Sequence, residues 1–247
     1  MKKLKIFLSA CIIIAIAGFY IYFHFFASLQ FKYLTKEQKD MVKNTSYSSQ
    51  ISNIETQKGK LSIEYKNAKK KDKVAIINKA RKLFMEQISN HIFPYWYGTK
   101  WNFSGTSQIP QRGKIACGYF VTTTLEDVGY SLNRSSLACM ASEQMINNLT
   151  QKKYITHISN TDILTFKNKI SVLGKGLYIV GLDKHTGFIL HDENGIFFIH
   201  SGGQYPCHVR KENIVDSKTL INSKYKVVGK ISDDDSFIIN WLTNTND

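Results

Sequence analysis

Cys117 is the residue of this chain that is best placed to act as a nucleophile. It opens an apolar run in which Val121 and Leu125 recur at helical spacing, and Gly129 ends that run as a C-terminal cap would. A thiol in the first turn of a helix lies at the positive end of the helix dipole, which favours the thiolate. The alternative is a small buried hydrophobic residue, the usual role of a free cysteine. A general base further along the chain would favour the nucleophile.

The chain contains seven histidines, and two of them are the best candidates for a base and its orienting partner. A cysteine nucleophile needs a base that takes its proton and a third group that orients the base. His185 precedes the predicted strand at residues 186–190, and His200 ends the strand that returns after a turn at residues 194–195. His208 remains a competitor for either role. A metal site built from these three histidines lacks a supporting carboxylate or cysteine spacing, so we predict no metal and no cofactor.

The predicted hairpin sets the relative positions of the two histidines. Strict pairing about the turn at residues 194–195 places His200 opposite Ile189, on the same face as His185 but nearer the turn. Bringing the two imidazoles together would then require a bulge or a strong twist near Gly187.

Helices come first along the chain and strands follow, an order typical of an α+β domain. Residues 72–92 have the apolar period of an amphipathic helix, and Pro94 is predicted to end it. Residues 95–106 are rich in aromatic side chains and glycine, and we interpret them as one wall of a cleft beside Cys117. Strands are predicted at residues 177–182, 186–190 and 196–199.

Residues 6–26 form an apolar run that follows Lys2, Lys3 and Lys5. About 20 apolar residues match the hydrocarbon thickness of a bilayer, whereas a cleavable signal peptide has a core of about 7–15. We therefore predict a single-pass membrane anchor, with a cytoplasmic N-terminus and the bulk of the chain outside the cytoplasm. A cleaved signal peptide, or a lipoprotein processed at the box that ends in Cys11, is the alternative.

The predicted organisation has three parts: an anchor in residues 1–27, a polar, lysine-rich stalk or helical extension in residues 28–71, and a globular domain in residues 72–247. The net charge of +14 comes mostly from scattered lysines, which suits a membrane surface or an anionic polymer. No helix-turn-helix, zinc-finger or RNP-like motif accompanies that charge, so no nucleic acid is expected as a partner.

The four cysteines have no C-x-x-C spacing, which argues against a structural zinc site. With Cys117 as the nucleophile, Cys139 and Cys207 would form one disulfide in an oxidising compartment or remain two free thiols. Their spacing leaves both arrangements open.

Three features in this order resemble the NlpC-type branch of the papain-like cysteine peptidases. They are Cys-Gly-Tyr-Phe-Val from Cys117, His-Thr-Gly-Phe-Ile from His185, and the strand end Phe-Phe-Ile-His-Ser that contains His200. The likeness covers residues 95–201. It implies a papain-like α+β fold in which a nucleophile helix packs on an antiparallel sheet. It also implies Cys117 as the nucleophile, His185 as the base and His200 as the orienting group.

The resemblance further implies two residues beside the oxyanion. The family's Gly-Thr-Pro-Tyr segment carries a tyrosine that lines the oxyanion site, and it is similar to residues 98–101, which puts Trp101 in that place. Gln111 stands six residues before Cys117, a spacing that resembles the oxyanion glutamine of papain. The chain departs from the family on both sides of the cysteine, with alanine for an acidic residue before it and glycine for a serine after it.

The function that this resemblance implies is amide hydrolysis by a thiol protease, with cell-wall peptides or other peptides and amides as substrates. One alternative is a non-catalytic, membrane-tethered binding or scaffold module on the same fold, in which Cys117 is inert. Another is an acyltransferase that uses Cys117 and His185 with an amine or alcohol acceptor.

Overall fold

The computed structural model describes residues 11–21, 28 and 31–244, and within them helices flank a single eight-stranded sheet. This architecture confirms the predicted α+β class. The helices are α1 (Lys36–Asn44), α2 (Tyr47–Asn67), α3 (Lys73–Glu86), α4 (Phe93–Trp96), α5 (Cys117–Asp127), α6 (Arg134–Ala138), α7 (Ser142–Leu149), α8 (Ile163–Leu173), α9 (Lys218–Asn222) and α10 (Asp235–Thr243). The strands are β1 (Lys100–Trp101), β2 (Lys114–Ile115), β3 (Ile155–His157), β4 (Gly176–Leu182), β5 (Thr186–Asp192), β6 (Gly195–Gly202), β7 (His208–Asn213) and β8 (Lys226–Lys230).

The sheet has the order β2-β1-β7-β6-β5-β4-β8-β3. All neighbouring pairs are antiparallel except β1 and β2, which run parallel. Consecutive hairpins produce the meander from β4 to β7. Strand β4 is buried along its whole length, as expected for a strand covered on both faces, and its sequence is accordingly a continuous apolar run.

Apolar side chains from alternate strand positions form a cluster on each face of the sheet. On one face Phe188 packs with Phe120 of α5 and with Phe93 of α4. On the other face, Phe198 and Tyr178 belong to the cluster that includes α8. Helix α5 therefore rests on the first face, and its N-terminus lies near the end of the sheet where β5 begins.

In the segment predicted as a stalk or helical extension, residues 28–71, the described residues are largely helical and contribute to the core. Leu34 is 7% exposed and Ile54 is fully buried. The Lys58 ammonium in α2 donates hydrogen bonds to the carbonyls of Gly129 (2.6 Å) and Asn244 (2.8 Å), at the ends of α5 and α10. Helix α2 thus packs onto the domain, because its buried side chains serve the same core.

The helical stretch that begins at α3 does not end at Pro94, so that prediction is wrong. A π-helical turn, Gln87–Ile92, follows α3 and leads directly into α4, where Pro94 occupies one of the first two positions. Proline is tolerated at the start of a helix because the N–H it lacks would have no intrahelical partner there. The stretch continues to Trp96.

Residues 11–21, which belong to the predicted 6–26 span, are helical. The other residues of that span lie outside the described part of the chain. Among the described residues, no helix has both the length and the apolar character needed to cross a membrane.

Candidate active site

Helix α5 begins at Cys117, as predicted, and Gly129 ends it with a φ of +89°. Ala116 is the N-cap residue in extended conformation and offers no side-chain oxygen to the first turn. The backbone N–H groups at the start of α5 therefore have no side-chain cap, and they lie beside the cysteine.

Gly118 follows the nucleophile candidate because no side chain fits there. A Cβ atom at this position would overlap the carbonyl oxygen of Ala138 at the end of α6. The close packing of α5 against α6 thus accounts for the glycine that follows Cys117.

The Cys117 sulfur lies in a largely buried environment against the start of β5. Burial raises the pKa of the thiol, and hydrogen bonds from the backbone N–H groups of Thr186 and Gly118, and from its own N–H, act in the opposite direction. Thr186 directly follows His185, so the Cys117 sulfur contacts the residue next to the candidate base. The described residues include no hydrogen bond between the Cys117 sulfur and the His185 ring.

His185, His200 and Glu212 form a hydrogen-bonded chain across three strands. The Nε2 atom of His185 lies 2.7 Å from Nδ1 of His200, and Nε2 of His200 lies 3.0 Å from Oε1 of Glu212. The His200 side chain is only 1% exposed, and it stacks on Phe198 with ring centroids 4.0 Å apart. The structure therefore unites the two predicted histidines and adds a carboxylate that the sequence analysis missed.

The register of the β5–β6 hairpin explains why the two histidines meet without a bulge. Asp192 pairs with Gly195, so the turn residues are 193–194 and not 194–195. The pairing expected from the sequence was wrong by two residues, because Gly195, with a φ of +137°, is already the first residue of β6. Continuing the observed register sets His200 opposite Gly187. His185 then becomes its diagonal neighbour on the same face.

Two glycines leave the space that the His200 side chain occupies. A Cβ atom on Gly187 would lie 2.8 Å from Cβ of His200, and one on Gly202 would lie 2.6 Å from Cε1 of the ring. Both distances are shorter than a normal carbon–carbon contact of about 3.5 Å. Neither position could carry a larger residue without moving the imidazole.

The pKa shifts at the site favour neutral imidazoles beside an ionised carboxylate. Burial holds the pKa of His185 well below its usual range, and the nearby His200 and Arg210 lower it further. Burial also lowers the pKa of His200, although the hydrogen bond to Glu212 acts in the opposite direction. For Glu212, burial alone would raise the pKa, but hydrogen bonds with His200 and Ser217 produce a net lowering.

Cys117 and His185 line the same cavity, which has a volume of about 560 Å³. Its far wall includes Ser142 and Glu143 of α7 and Tyr225. The Tyr225 hydroxyl donates a hydrogen bond to Glu143, which ties the two sides of that wall together. The cavity is large enough for a small ligand or for a few residues of a peptide.

The two residues expected beside the oxyanion do not line this cavity. Nε2 of Gln111 donates hydrogen bonds to the carbonyls of Tyr95 (2.9 Å) and Tyr97 (2.7 Å). The amide therefore holds the aromatic segment in place, and the expectation that it contacts the oxyanion is wrong. The Trp101 ring packs against Gly203 beyond the end of β6.

The aromatic segment itself faces the core more than a cleft. Tyr95, Trp96 and Tyr97 are buried, and the Trp96 indole N–H donates to the Tyr47 hydroxyl at 2.8 Å. The interpretation of residues 95–106 as a wall beside Cys117 is therefore wrong for these three side chains. Their size and burial suit core packing equally well, which the sequence alone could not distinguish.

The remaining candidates have other roles. Cys139 and Cys207 are free thiols and form no disulfide with each other. His208 lies beside Tyr33 and the carbonyl of Pro206, outside the His185–His200–Glu212 chain. Within the described ranges, no group of three His, Cys, Asp or Glu side chains is arranged to hold a metal ion.

The chain matches no family model, no curated protein and no solved structure. Any assignment of chemistry to the site therefore rests on the geometry of its own residues.

Proposed function

We propose that this protein is a cysteine hydrolase that cleaves an amide bond, with Cys117 as the nucleophile, His185 as the general base and His200 as the group that orients the base. The observation that carries the proposal is the shared cavity of Cys117 and His185, together with the 2.7 Å contact between His185 and the buried His200. A helix that starts at the cysteine and packs on an antiparallel sheet supports a papain-like arrangement of the NlpC type.

The free ring nitrogen of His185 determines the first step. Because Nε2 contacts His200, Nδ1 is the atom left to accept the thiol proton. The Cys117 thiolate then attacks the carbonyl carbon of the substrate, and the imidazolium returns the proton to the leaving amine. Water, deprotonated by His185, hydrolyses the thioester and regenerates the free thiol.

The start of α5 supplies the oxyanion donor. The Cys117 backbone N–H lies at a helix N-terminus with no side-chain cap, where the helix dipole also favours negative charge. With Gln111 engaged elsewhere, a second donor has to come from the cavity wall or from the substrate complex. Removing a single oxyanion donor typically costs about 10²–10³-fold in kcat.

Cell-wall peptides, or other peptide amides, are the substrate class that we propose, acted on outside the cytoplasm by a domain anchored through residues 6–26. The cavity can accept a few residues of a peptide, and the net charge of +14 suits an anionic wall polymer.

Labelling with an electrophilic thiol probe near neutral pH, read residue by residue by mass spectrometry, tests the assignment. We expect rapid modification of Cys117 that is lost in Cys117→Ala and falls at least about 10²-fold in His185→Ala, the usual contribution of a general base. Cys139→Ala is the matched control, because Cys139 is an exposed free thiol outside the cavity. Unchanged Cys117 labelling in His185→Ala contradicts the proposal.

One observation favours a second candidate, a non-catalytic binding module on the same fold. Burial raises the pKa of the Cys117 thiol, as it would for an inert core cysteine. The same labelling experiment separates the two functions. An inert Cys117 reacts more slowly than the exposed Cys139 in the same molecule, whereas an activated nucleophile reacts faster.

A further inference from the structure

Glu212 lies at the other end of the hydrogen-bonded chain that begins with His185 at the cavity. It is on β7, where it pairs with Phe198, while its neighbour Arg210 pairs with His200. The carboxylate therefore approaches His200 diagonally from β7, which lies on the other side of β6 from β5. The Glu212 side chain is 20% exposed, against 1% for His200. Each link from His185 to His200 to Glu212 moves one strand across the sheet.

The hydrogen-bonding capacity of each group determines where the protons lie. An ionised carboxylate only accepts hydrogen bonds, so Nε2 of His200 carries the hydrogen that bridges to Glu212. A neutral imidazole has one donor and one acceptor, so Nδ1 of His200 accepts, and the hydrogen in the 2.7 Å contact belongs to Nε2 of His185. Nδ1 of His185 is then left with its lone pair.

We propose that Glu212 is a positioning residue that selects these tautomers, so that His185 presents a proton acceptor, and not an N–H donor, to Cys117. This inference rests on the proposed function, since it assigns the orienting role to a His200–Glu212 pair and not to His200 alone.

The opposite tautomers would disable the base. If His200 carried its hydrogen on Nδ1, Nε2 of His185 would have to accept it, and the remaining hydrogen of His185 would lie on Nδ1. No lone pair would then be available for the thiol proton of Cys117. In a Ser-His-Asp triad, holding the wrong tautomer lowers kcat by about 10⁴-fold.

The His185–His200 pair has both positive and negative groups around it. Glu212 is the anionic group that hydrogen-bonds to it. Arg210 acts against protonation of both imidazoles, and His208 lies on the same strand. The other titratable groups around the cavity are Cys117, Glu143, Asp183, Lys184 and Tyr225. Glu212→Leu removes the acceptor with little change in bulk, Glu212→Gln keeps an acceptor oxygen but removes the charge, and Glu193→Gln in the exposed turn removes a charge elsewhere.

The first measurement is the tautomeric state of the two histidines in the full chain labelled with ¹⁵N-histidine, by long-range ¹H–¹⁵N correlation spectra. We expect both to be protonated at Nε2 in the wild type and in Glu193→Gln. In Glu212→Leu we expect His200 to shift to the Nδ1-protonated form, and in Glu212→Gln we expect a mixture of the two forms. Wild-type tautomers in Glu212→Leu overturn the proposal, and this readout does not depend on any reactivity of Cys117.

The second measurement is the alkylation rate of Cys117 relative to Cys139 in the same molecule, near neutral pH. We expect a fall of at least about 10-fold in Glu212→Leu, a smaller fall in Glu212→Gln and no change in Glu193→Gln. A wild-type rate in Glu212→Leu, with His185→Ala still slow, rejects the role of Glu212 but leaves the proposed function standing. A Cys117 that is unreactive in the wild type rejects the proposed function, while the tautomer spectra still decide the role of Glu212.

Discussion

Gly202→Ala tests whether the placement of the His200 ring controls the reactivity of Cys117. The new Cβ atom would lie 2.6 Å from Cε1 and 3.0 Å from Nδ1 of the ring. Restoring a normal contact of about 3.5 Å moves the ring by about 0.9 Å. Because Phe198 stacks on the ring at 4.0 Å and Nδ1 lies 2.7 Å from His185, a displacement of that size stretches or breaks the hydrogen bond to the base.

The expected cost is far larger for reactivity than for stability. A misplacement of about 1 Å at a catalytic group can cost about 10²-fold, so we expect Cys117 alkylation to fall by about that factor. Overpacking a core position costs about 1–3 kcal/mol, which lowers the melting temperature by a few degrees for each kcal/mol in a chain of this size and leaves it folded at 25 °C. Labelling kinetics and thermal unfolding measure the two effects separately.

Gly59→Ala is the matched control for this substitution. Gly59 lies within α2 and has nothing within 4 Å of an added Cβ, so the change should raise stability slightly, by about 0.5–1 kcal/mol, with no effect on Cys117. Wild-type labelling by Gly202→Ala would refute the reasoning, because it would mean that the imidazole can move this far at no cost to the base.

Three further predictions concern pH and stability. Burial holds the pKa of His185 well below its usual range, so the base stays unprotonated and Cys117 alkylation should not follow a titration at pH 6.5 but decline only under more acidic conditions. Burial raises the pKa of the Asp127 carboxyl in the folded protein to about 7, above its value in the unfolded chain. The protonated carboxyl therefore makes its full contribution to stability below about pH 4, and this contribution is lost as the pH rises to about 7. In melting curves against pH, Asp127→Asn should therefore gain stability relative to wild type over that interval, and a constant difference would contradict the assignment. Lys58→Met leaves two carbonyls without their charged donor and should reduce the free energy of unfolding by about 2–4 kcal/mol in urea titrations. Lys60→Met, on the exposed side of α2, is the control and should change the free energy of unfolding by less than about 0.5 kcal/mol. Equal effects of the two substitutions would refute the role of Lys58.

The helix that begins at Cys117 could be predicted because its signals are local. The helical spacing after Cys117 and the glycine at its end fix the helix without reference to the rest of the chain, and the structure places that helix as expected. The apolar strands β4 to β6 were also predictable, since buried strands are continuous apolar runs.

The contribution of Glu212 to the site could not be predicted because it depends on strand register. Glu212 belongs to a strand whose sequence, His-Val-Arg-Lys-Glu-Asn, has the polar residues of an exposed edge. Its contact with His200 arises only when β6 and β7 are aligned side by side. An error of one residue in the position of the turn, 194–195 instead of 193–194, shifted the strand pairing by two residues and likewise obscured how His185 and His200 meet.

The packing of α1 and α2 depended on partners far away in sequence. Ile54 lies in a segment where polar residues outnumber apolar ones such as Ile51 and Leu61, so its helix showed little sign of a buried face. Lys58 carries the formal charge of a solvated side chain, yet it is 8% exposed because its ammonium meets the carbonyls of Gly129 and Asn244.

If residues 6–26 anchor the chain in a membrane as proposed, the burial of Leu34 limits how far the candidate site could lie from that membrane. Eight positions separate Leu34 from the end of the apolar run at residue 26, and a fully extended chain of that length covers at most about 28 Å. With such an anchor, a domain on so short a tether would sample only a thin layer next to the bilayer. Substrate would have to come to that layer, and a protease that releases the intact domain would have to cut before Leu34.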